Sequence, residues 1–318
     1  MYLKSSLFLL LTALLLSCAS PPELQSPFFF TENGQGVELL EDGQPVFFYQ
    51  RVPKSLNGEY ICNNYIHPLY SVNGDTLTEE FPADHPYHRG IFWAWHQLFV
   101  GEQRVGDGWI MENFSHDVVD MQTKSDKNKA QIDLSVLWES PVFQNGEPFM
   151  EERTTITVHH LQENVRKIDF EIALKPLVPK VFIGGSEDEK GYGGFCCRIK
   201  MPDGLIFTAR NGQVIPQNLQ LQAGPWMDFS APYGSHGEVN GLTLLCHPGT
   251  PNYPAPWILR QKTSMQNIVF PGEEKIELSM NKPTVLRYRL IIHRGNAASV
   301  DIAKWQTEYA RMYVKDPD

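Results

Sequence analysis

Alternation of apolar and polar residues with a period of two is the feature that most constrains the fold of this chain. It is clearest over residues 131–139, 167–175 and 285–293. Because successive side chains of a β-strand point to opposite faces of a sheet, the pattern predicts strands with one face on a core and one face exposed. It therefore predicts that Arg289, which alternates with apolar neighbours, is exposed. The shorter stretch 275–280 follows the same rule.

Helical periodicity is found in one segment, near the end of the chain, at Ile302, Trp305, Tyr309 and Met312. Ser299 precedes this segment and is expected to cap the N-terminus of the helix. No internal repeat and no low-complexity linker divides the chain. We therefore expect an all-β protein: a large antiparallel β-sandwich of two stacked sheets with one C-terminal helix, forming a single domain over residues 28–318.

The first 17 residues have the features of an export signal. Lys4 precedes an apolar run over residues 7–16, which is too short to span a bilayer. The run ends in LLSC at Cys18, which resembles a bacterial lipobox. The resemblance implies that Cys18 is lipidated and that residues 18–27 form a tether, so we expect a cell-envelope protein held at the membrane only by its lipid. The alternative is an ordinary secretory signal.

Composition narrows the classes of partner. The net charge of −10 disfavours nucleic acid, whose phosphates require a positive surface, and it leaves neutral ligands such as sugars open. Apart from Cys18, the cysteines lack the paired spacing of a zinc site. We expect buried free thiols at Cys62, Cys196, Cys197 and Cys246. No cofactor is predicted, and the oligomeric state is left open.

The densest polar motif is DHPYHRGIFWAWH, over residues 84–96. Its first half is a loop bracketed by proline and glycine, and its second half is apolar enough for a buried strand. His85 and His88 can converge on one point within a turn, and Arg89 offers a fork that suits a carboxylate or paired sugar hydroxyls. A structural turn is the alternative, and we favour a reaction site. His67, which Pro68 places in a loop or at a strand end, is a candidate binding residue, whereas His96 is interpreted as structural.

Three further clusters interrupt the strand pattern and supply candidate partners. The segment GDGWIMENFSHD contains Glu112, and the glycine-rich segment GGSEDEKGYGGFCCRI contains Glu187, Tyr192 and Arg198. Glu187 or Glu189 is a candidate general acid or base, and Glu112 can present a carboxylate on a strand edge. For each, a solvated surface glutamate is the alternative.

The third cluster, GLTLLCHPGTPNYPAPWILR, places a loop at the end of an apolar strand, which is the usual location of functional side chains on a rigid scaffold. An aromatic platform beside polar donors suits a sugar ring, with its apolar face and its rim of hydroxyls. The alternative for Trp257 is core packing. Together with the segment GPWMDFS, this cluster supplies the candidates His247, Asn252, Trp257, Trp226 and Asp228.

Together, the segments DHPYHRGIFWAWH, GYGGFCCR, WMDFS, GLTLLCHPGTPNYPAPW and YRLIIHRG resemble the DUF6807 family, which is often labelled a methane oxygenase, PmoA. The resemblance implies a β-supersandwich similar to galactose mutarotases, in a family whose members often accompany glycan-degradation genes. It carries a histidine-arginine motif onto His85, His88 and Arg89, and a His-Pro motif onto His247. We do not predict methane oxidation, because that enzyme is an integral membrane copper protein and no membrane-spanning run follows the signal segment.

The leading hypothesis is a carbohydrate-active enzyme that works by acid-base chemistry, as a hydrolase, lyase or isomerase. In this hypothesis His85 or His88 is the base, Glu112 or Glu187 is the acid, and Arg89 and Arg198 hold the substrate.

Two alternatives are kept. The first is a non-catalytic glycan-binding lipoprotein that uses its tryptophans. The second is a metal-dependent enzyme with histidine ligands, which ranks lower because HxxH in a loop is a weak metal motif. We therefore predict no metal site.

Overall fold

The computed structural model describes residues 26–234 and 237–313. The predicted signal peptide and Cys18 lie outside the described residues. The first strands are β1 (Phe28–Glu32), β2 (Gly36–Glu41), β3 (Gln44–Gln50), β4 (Lys54–Leu56), β5 (Glu59–Cys62), β6 (Tyr65–Leu69), β7 (Ile91–Trp95), β8 (Gln97–Val100) and β9 (Gln103–Gly106).

The middle of the chain contributes the longest strands. These and the shorter strands after them are β10 (Ser115–Ser125), β11 (Lys129–Glu139), β12 (Met150–His159), β13 (Val165–Pro176), β14 (Val181–Gly184), β15 (Gly193–Cys197), β16 (Ile206–Ala209) and β17 (Gly212–Gln213). The last strands are β18 (Trp226–Ala231), β19 (Asn240–Cys246), β20 (Trp257–Ile258), β21 (Gln266–Val269), β22 (Ile276–Glu277) and β23 (Thr284–Arg294), followed by the helix α1 (Ile302–Arg311). Two 3₁₀ turns lie at Gln144–Gly146 and Ala297–Ser299.

Two large antiparallel sheets form the body of the protein. One has eight strands in the order β1-β2-β3-β6-β7-β15-β21-β20, and the other has nine in the order β10-β11-β12-β13-β23-β19-β18-β16-β17. A four-stranded sheet, β22-β14-β8-β9, and the β4-β5 hairpin complete the described strands. The predicted all-β class, with a large antiparallel sandwich and one C-terminal helix, is confirmed.

The core lies between the two large sheets, and strand β7 shows how the sequence builds it. Trp93 of β7 packs against Phe170 of β13, and Phe195 of β15 packs against Tyr288 of β23, with ring centroids 6.4 and 4.6 Å apart. The alternate residues of β7, Phe92 and Ala94, join a smaller apolar cluster on the outer face of the eight-stranded sheet. Strand β7 is therefore buried on both sides, and the polar motif that precedes it lies beside this outer cluster.

Two details of the strand predictions are wrong. Arg289 is buried rather than exposed, because it faces Asp169 across the β13-β23 ladder and donates to both carboxylate oxygens, at 2.5 and 2.7 Å. The stretch 275–280 forms only the two-residue strand β22, because its partner β14 has four residues and pairs with it at two positions. As a result Met280, the last residue of this alternating stretch, lies outside the strand and is exposed.

The C-terminal helix forms where the spacing predicts it, but its cap differs. Asp301 accepts from the Lys304 backbone N–H at 2.9 Å and is the N-cap, whereas Ser299 ends a preceding 3₁₀ turn. A carboxylate there also favours the positive end of the helix dipole. The helix buries Ile302 and Tyr309 against the outer face of the nine-stranded sheet.

The four cysteines of the described residues, Cys62, Cys196, Cys197 and Cys246, are buried free thiols, as expected. Burial raises the pKa of the Cys196 thiol, so it stays protonated and unreactive at neutral pH. Within the described residues, no helix has the length and apolar character needed to span a membrane.

Candidate functional site

The loop that precedes β7 is held against the eight-stranded sheet by its backbone. His88 donates its N–H to the carbonyl of His85 at 2.9 Å, and its own carbonyl accepts from Phe81 at 3.1 Å. Gly90 has a φ of +42°, and a Cβ there would lie 1.9 Å from the carbonyl oxygen of Ile66. Only glycine allows the chain to pass β6 this closely and enter β7. The division of the motif into a loop and a buried strand is confirmed by these contacts.

Asp84 connects the loop to the end of β15. Its carboxylate accepts from both terminal nitrogens of Arg198, at 2.8 and 2.7 Å, and from the backbone N–H of Ser264 at 2.8 Å. It also accepts from His85 Nδ1 at 2.7 Å. Burial alone would raise the pKa of Asp84, but the bonds from Arg198 and His85 hold it below its usual value. Asp84 is therefore an ionised carboxylate that orients His85 with Nε2 turned away from it.

His88 is the most deeply buried member of the motif's histidine pair. Its ring stacks on that of His85 with the centroids 4.8 Å apart, and its Nδ1 has no hydrogen-bond partner among the described residues. Burial, and then the positive charge of Arg198, lowers the pKa of His88 to about 2. His88 is neutral at physiological pH, and it supports the more exposed ring of His85.

A second histidine–carboxylate pair lies on the same face of the sheet. His96 Nδ1 donates to Asp107 Oδ2 at 2.8 Å. The other oxygen of Asp107 accepts from the backbone N–H groups of Trp109 and Ile110, which fixes the turn after β9. Trp109 in turn stacks on His96, with centroids 5.0 Å apart. His96, interpreted as structural from the sequence, thus has the same oriented geometry as His85.

Aromatic side chains join the two pairs, and we call Tyr87, Trp109 and Tyr192 the aromatic patch. Trp109 lies edge to face with His88 at 6.1 Å and contacts Tyr192 at 5.5 Å. Burial raises the pKa of Tyr87, and the negative charges of Asp107 and Asp84 raise it further. Tyr87 also lies edge to face with His85 and His88, at 5.8 and 4.9 Å, so a chain of ring contacts through Trp109 connects the two pairs.

Arg260 closes one side of the aromatic patch. Its guanidinium lies over the ring of Tyr192, 5.3 Å from the centroid, and donates to the hydroxyl of the same residue. It also donates to the carbonyl oxygens of Gln217 and Asn218. The predicted binding residue Tyr192 is therefore held rigidly beside a positive charge.

The two predicted glutamates lie near the His96 pair but are not aimed at it. Glu187 is exposed and forms an ion pair with Arg104, whose other nitrogen donates to the carbonyl of His96. Glu112 is exposed in a tight turn, where its backbone pairs with that of Asp107. Their roles as acid or base stay predictions.

His67 lies in the middle of β6, not in a loop or at a strand end as predicted, because β6 continues through Pro68; the residue is beside Gly90. Its Nδ1 forms a hydrogen bond with Thr78 Oγ1 at 2.9 Å, and burial lowers its pKa to about 4, so the ring is neutral. His67 therefore borders the loop from the side of β6, without a polar contact to His85 or His88 in the described structure.

The remaining candidates lie elsewhere in the fold. His247 Nε2 donates to the carbonyl of Met312, and Trp226 packs beneath α1, so both belong to the contact between helix and nine-stranded sheet. Asp228 is fully buried there and accepts from His293 at 2.8 Å. The arrangement does not bring these residues to the aromatic patch.

Trp257 and Asn252 also have structural partners. Trp257 is fully buried in the main core and donates its Nε1 to the carbonyl of Gly224 at 2.8 Å. Asn252 donates to the carbonyl of Val269 at 3.0 Å. Within residues 26–234 and 237–313, no group of three or more His, Cys, Asp or Glu side chains is arranged to hold a metal ion.

Most of the chain matches the model of one protein family. Residues 36–306 match the model of the family of unknown function DUF6807. The chain belongs to this family. No curated protein matches this DUF6807 member.

Two solved structures resemble this DUF6807 chain at low identity. One is a heparinase III with methylated lysines, at 12% identity and a TM-score of 0.30, covering 88% of this chain and 37% of that one. The chain thus spans little more than a third of that protein. The other is YeaD of Salmonella typhimurium, described as a candidate mutarotase, at 9% identity and a TM-score of 0.30, covering 84% and 90%.

Proposed function

We propose that this protein is an enzyme that acts on a carbohydrate by acid-base chemistry, on the outer face of the eight-stranded sheet. The observation that carries the proposal is the pairing of two histidines with ionisable carboxylates, His85 with Asp84 and His96 with Asp107, around the aromatic patch. Separate proton donors and acceptors are what ring opening, elimination and glycosidic cleavage require.

In this proposal His85 is the base that removes a proton from the substrate. Asp84 stabilises the imidazolium that forms, because the carboxylate accepts from Nδ1 while Nε2 binds the transferred proton. Arg198 keeps Asp84 ionised and in place. His96, oriented by Asp107, is the proton donor, a role that the sequence interpretation gave to Glu112 or Glu187.

The aromatic patch supports a sugar in particular. A pyranose has an apolar face that stacks on tryptophan or tyrosine, and hydroxyls that take bonds from forked donors. Tyr87 and Tyr192, both half-buried, supply the apolar surface, and the part-exposed imidazoles of His85 and His96 supply polar groups beside it.

The test is turnover by the purified protein over a panel of glycosides, polysaccharides and keto-sugars, with products identified by mass spectrometry. We expect at least one substrate whose conversion is abolished in His85→Gln and in His96→Gln. The matched control is His159→Gln, because His159 is also part-exposed and bonded to a carboxylate, Asp169, but on the nine-stranded sheet. Full turnover in His85→Gln, or no turnover of any substrate, would overturn the proposal.

A non-catalytic glycan-binding protein is the second candidate, favoured by the aromatic patch. Trp109, Trp226 and Trp257 are all buried. The half-buried Tyr87 and Tyr192 would therefore carry the binding. Glycan affinity that survives His85→Gln and is lost in Tyr192→Ala, without turnover, would establish this second function.

We also propose that the protein is anchored in the cell envelope through a lipid on Cys18. The support is the apolar run that ends in LLSC. Incorporation of labelled palmitate that is lost in Cys18→Ser tests this, and equal labelling of the variant would refute it.

A further inference from the structure

Arg89 is a buried cation that has few hydrogen-bond partners and no acidic partner among the described residues. Its residue is 1% exposed, yet its Nε has no hydrogen-bond partner among the described residues. One terminal nitrogen donates to the carbonyl of Tyr87 at 3.1 Å, and the other reaches only the thioether of Met111 at 3.5 Å. The Phe92 ring lies 4.7 Å from the guanidinium, and this cation–π contact offsets only part of the desolvation cost.

Each of the other buried arginines of the described chain has a carboxylate partner. Arg166 is paired with Glu41, Arg198 with Asp84 and Glu79, and Arg289 with Asp169. Arg89 has no carboxylate within 4.0 Å among the described residues. Since an uncompensated buried charge is strongly destabilising, a site that retains one has a reason other than the stability of the empty protein.

Neighbouring acids are already engaged. Glu80, whose backbone pairs with that of Arg89, forms an ion pair with Lys54 and accepts from the Tyr65 hydroxyl at 2.5 Å. The carboxylate of Asp84 already accepts hydrogen bonds from His85, Arg198 and Ser264. No acid of the loop is therefore available to neutralise Arg89 by a change of rotamer.

We propose that Arg89 binds the carboxylate of an acidic sugar, so that the substrates of this protein are carbohydrates that contain a hexuronate. This rests on the proposed function, whose site it shares through the adjacent His88. The guanidinium carries one unbalanced positive charge and a free N–H edge, which match the single charge and planar oxygens of a carboxylate. A phosphate or sulfate would need more donors than the few polar groups around Arg89 offer.

The ligand reaches Arg89 by displacing Met111. Met111 lies in the turn between β9 and β10 and has a φ of +61°. Its thioether is a weak acceptor on a flexible side chain, so a carboxylate replaces it with a stronger, charge-assisted bond. Tyr192, which is half-buried and packs on Trp109 of the same turn, then contacts the sugar ring.

The test measures binding of the methyl glycosides of D-glucuronate, D-galacturonate, D-mannuronate and L-iduronate by calorimetry, each against its neutral hexose counterpart, with acetate as a further probe. We expect one hexuronate to bind at least about 30-fold more tightly than its neutral counterpart and than acetate. Arg89→Met should remove this preference. Arg89→Lys keeps the positive charge but lacks the forked guanidinium, so it should retain only part of the preference.

Thermal unfolding distinguishes a binding role from a structural one. Removing an unpaired buried charge should leave the melting temperature of Arg89→Met unchanged or raised. The matched control Arg166→Met should melt lower, because it leaves Glu41 buried without its partner, while its hexuronate affinity is unchanged. Equal affinity for uronate and neutral sugar, equal affinity for acetate, or a preference that persists in Arg89→Met would overturn the inference.

The two proposals fail in different ways. Turnover of neutral glycosides alone, dependent on His85, would leave the proposed function standing and refute the uronate site. Hexuronate binding that depends on Arg89 without any turnover would leave the site standing and refute the enzymatic function.

Discussion

The buried imidazole of His116 should make the free energy of unfolding depend on pH. The size of that dependence can be calculated and measured. The residue lies on β10 between Phe114 and Trp138, is 5% exposed, and has no partner for either ring nitrogen among the described residues. Burial, and then the positive charge of Arg89, lowers its pKa from 6.5 to about 3. The folded protein therefore holds a neutral imidazole that the unfolded chain would protonate.

The sign and size of the effect follow from this difference in pKa. Because the unfolded state binds the proton first, the contribution of His116 to stability is complete above pH 6.5 and is lost as the pH falls towards its folded value. Lowering the pH from 7.5 to 5.5 should reduce the free energy of unfolding by about 1.4 kcal/mol through this residue alone.

The assay is urea unfolding of the wild type and of His116→Leu at both pH values. Leucine keeps an apolar side chain between the rings and leaves the His116 carbonyl free to accept from Asn63, as it does now at 3.2 Å. Other titrating groups, such as His88 and Glu152, cancel in the comparison. The wild type should lose about 1.4 kcal/mol more than the variant between the two pH values. Identical losses would refute the argument that His116 is buried and neutral.

Three further results are expected. Asp84→Asn should lower turnover of any substrate by about 100-fold or more in steady-state kinetics, because it removes the charge that orients and stabilises His85; unchanged turnover would contradict that role. Gly90→Ala should lower the free energy of unfolding by about 2 kcal/mol or more, since its Cβ would collide with Ile66, and a wild-type urea midpoint would contradict this. Asp301→Ala should cost about 1 kcal/mol through loss of the N-cap, measured in the same way, with Ser299→Ala as the unaffected control.

The strands could be predicted because alternation is a local property. Residues 131–139, 167–175 and 285–293 lie within β11, β13 and β23, and the single helical pattern lies at α1. Exposure could not be predicted from the same pattern. The outer face of β23 is covered by α1, and this contact buries Arg289 against Asp169 on a side that alternation marks as exposed.

The candidate site could be predicted only where its residues are close in sequence. The motif over 84–90 contains His85 and His88, and the structure joins it to Arg198 through Asp84. The pair of His96 and Asp107 spans the β8-β9 hairpin, and no spacing rule connects two such residues. The strand end at His247 has the composition of a site, but sequence does not show that α1 covers it.

The electrostatics of the outer face connect its stability to its function. Burial near Arg89 lowers the pKa of both His88 and His116, and the charge of Arg89 lowers them further, so this region holds one full positive charge and two neutral imidazoles. Each feature destabilises the empty fold. A bound carboxylate would balance the charge in a medium of low dielectric, where the attraction is stronger than in water. It follows that a bound carboxylate should raise the pKa of His88, and that binding should weaken once the pH is low enough to protonate the carboxylate of the ligand itself.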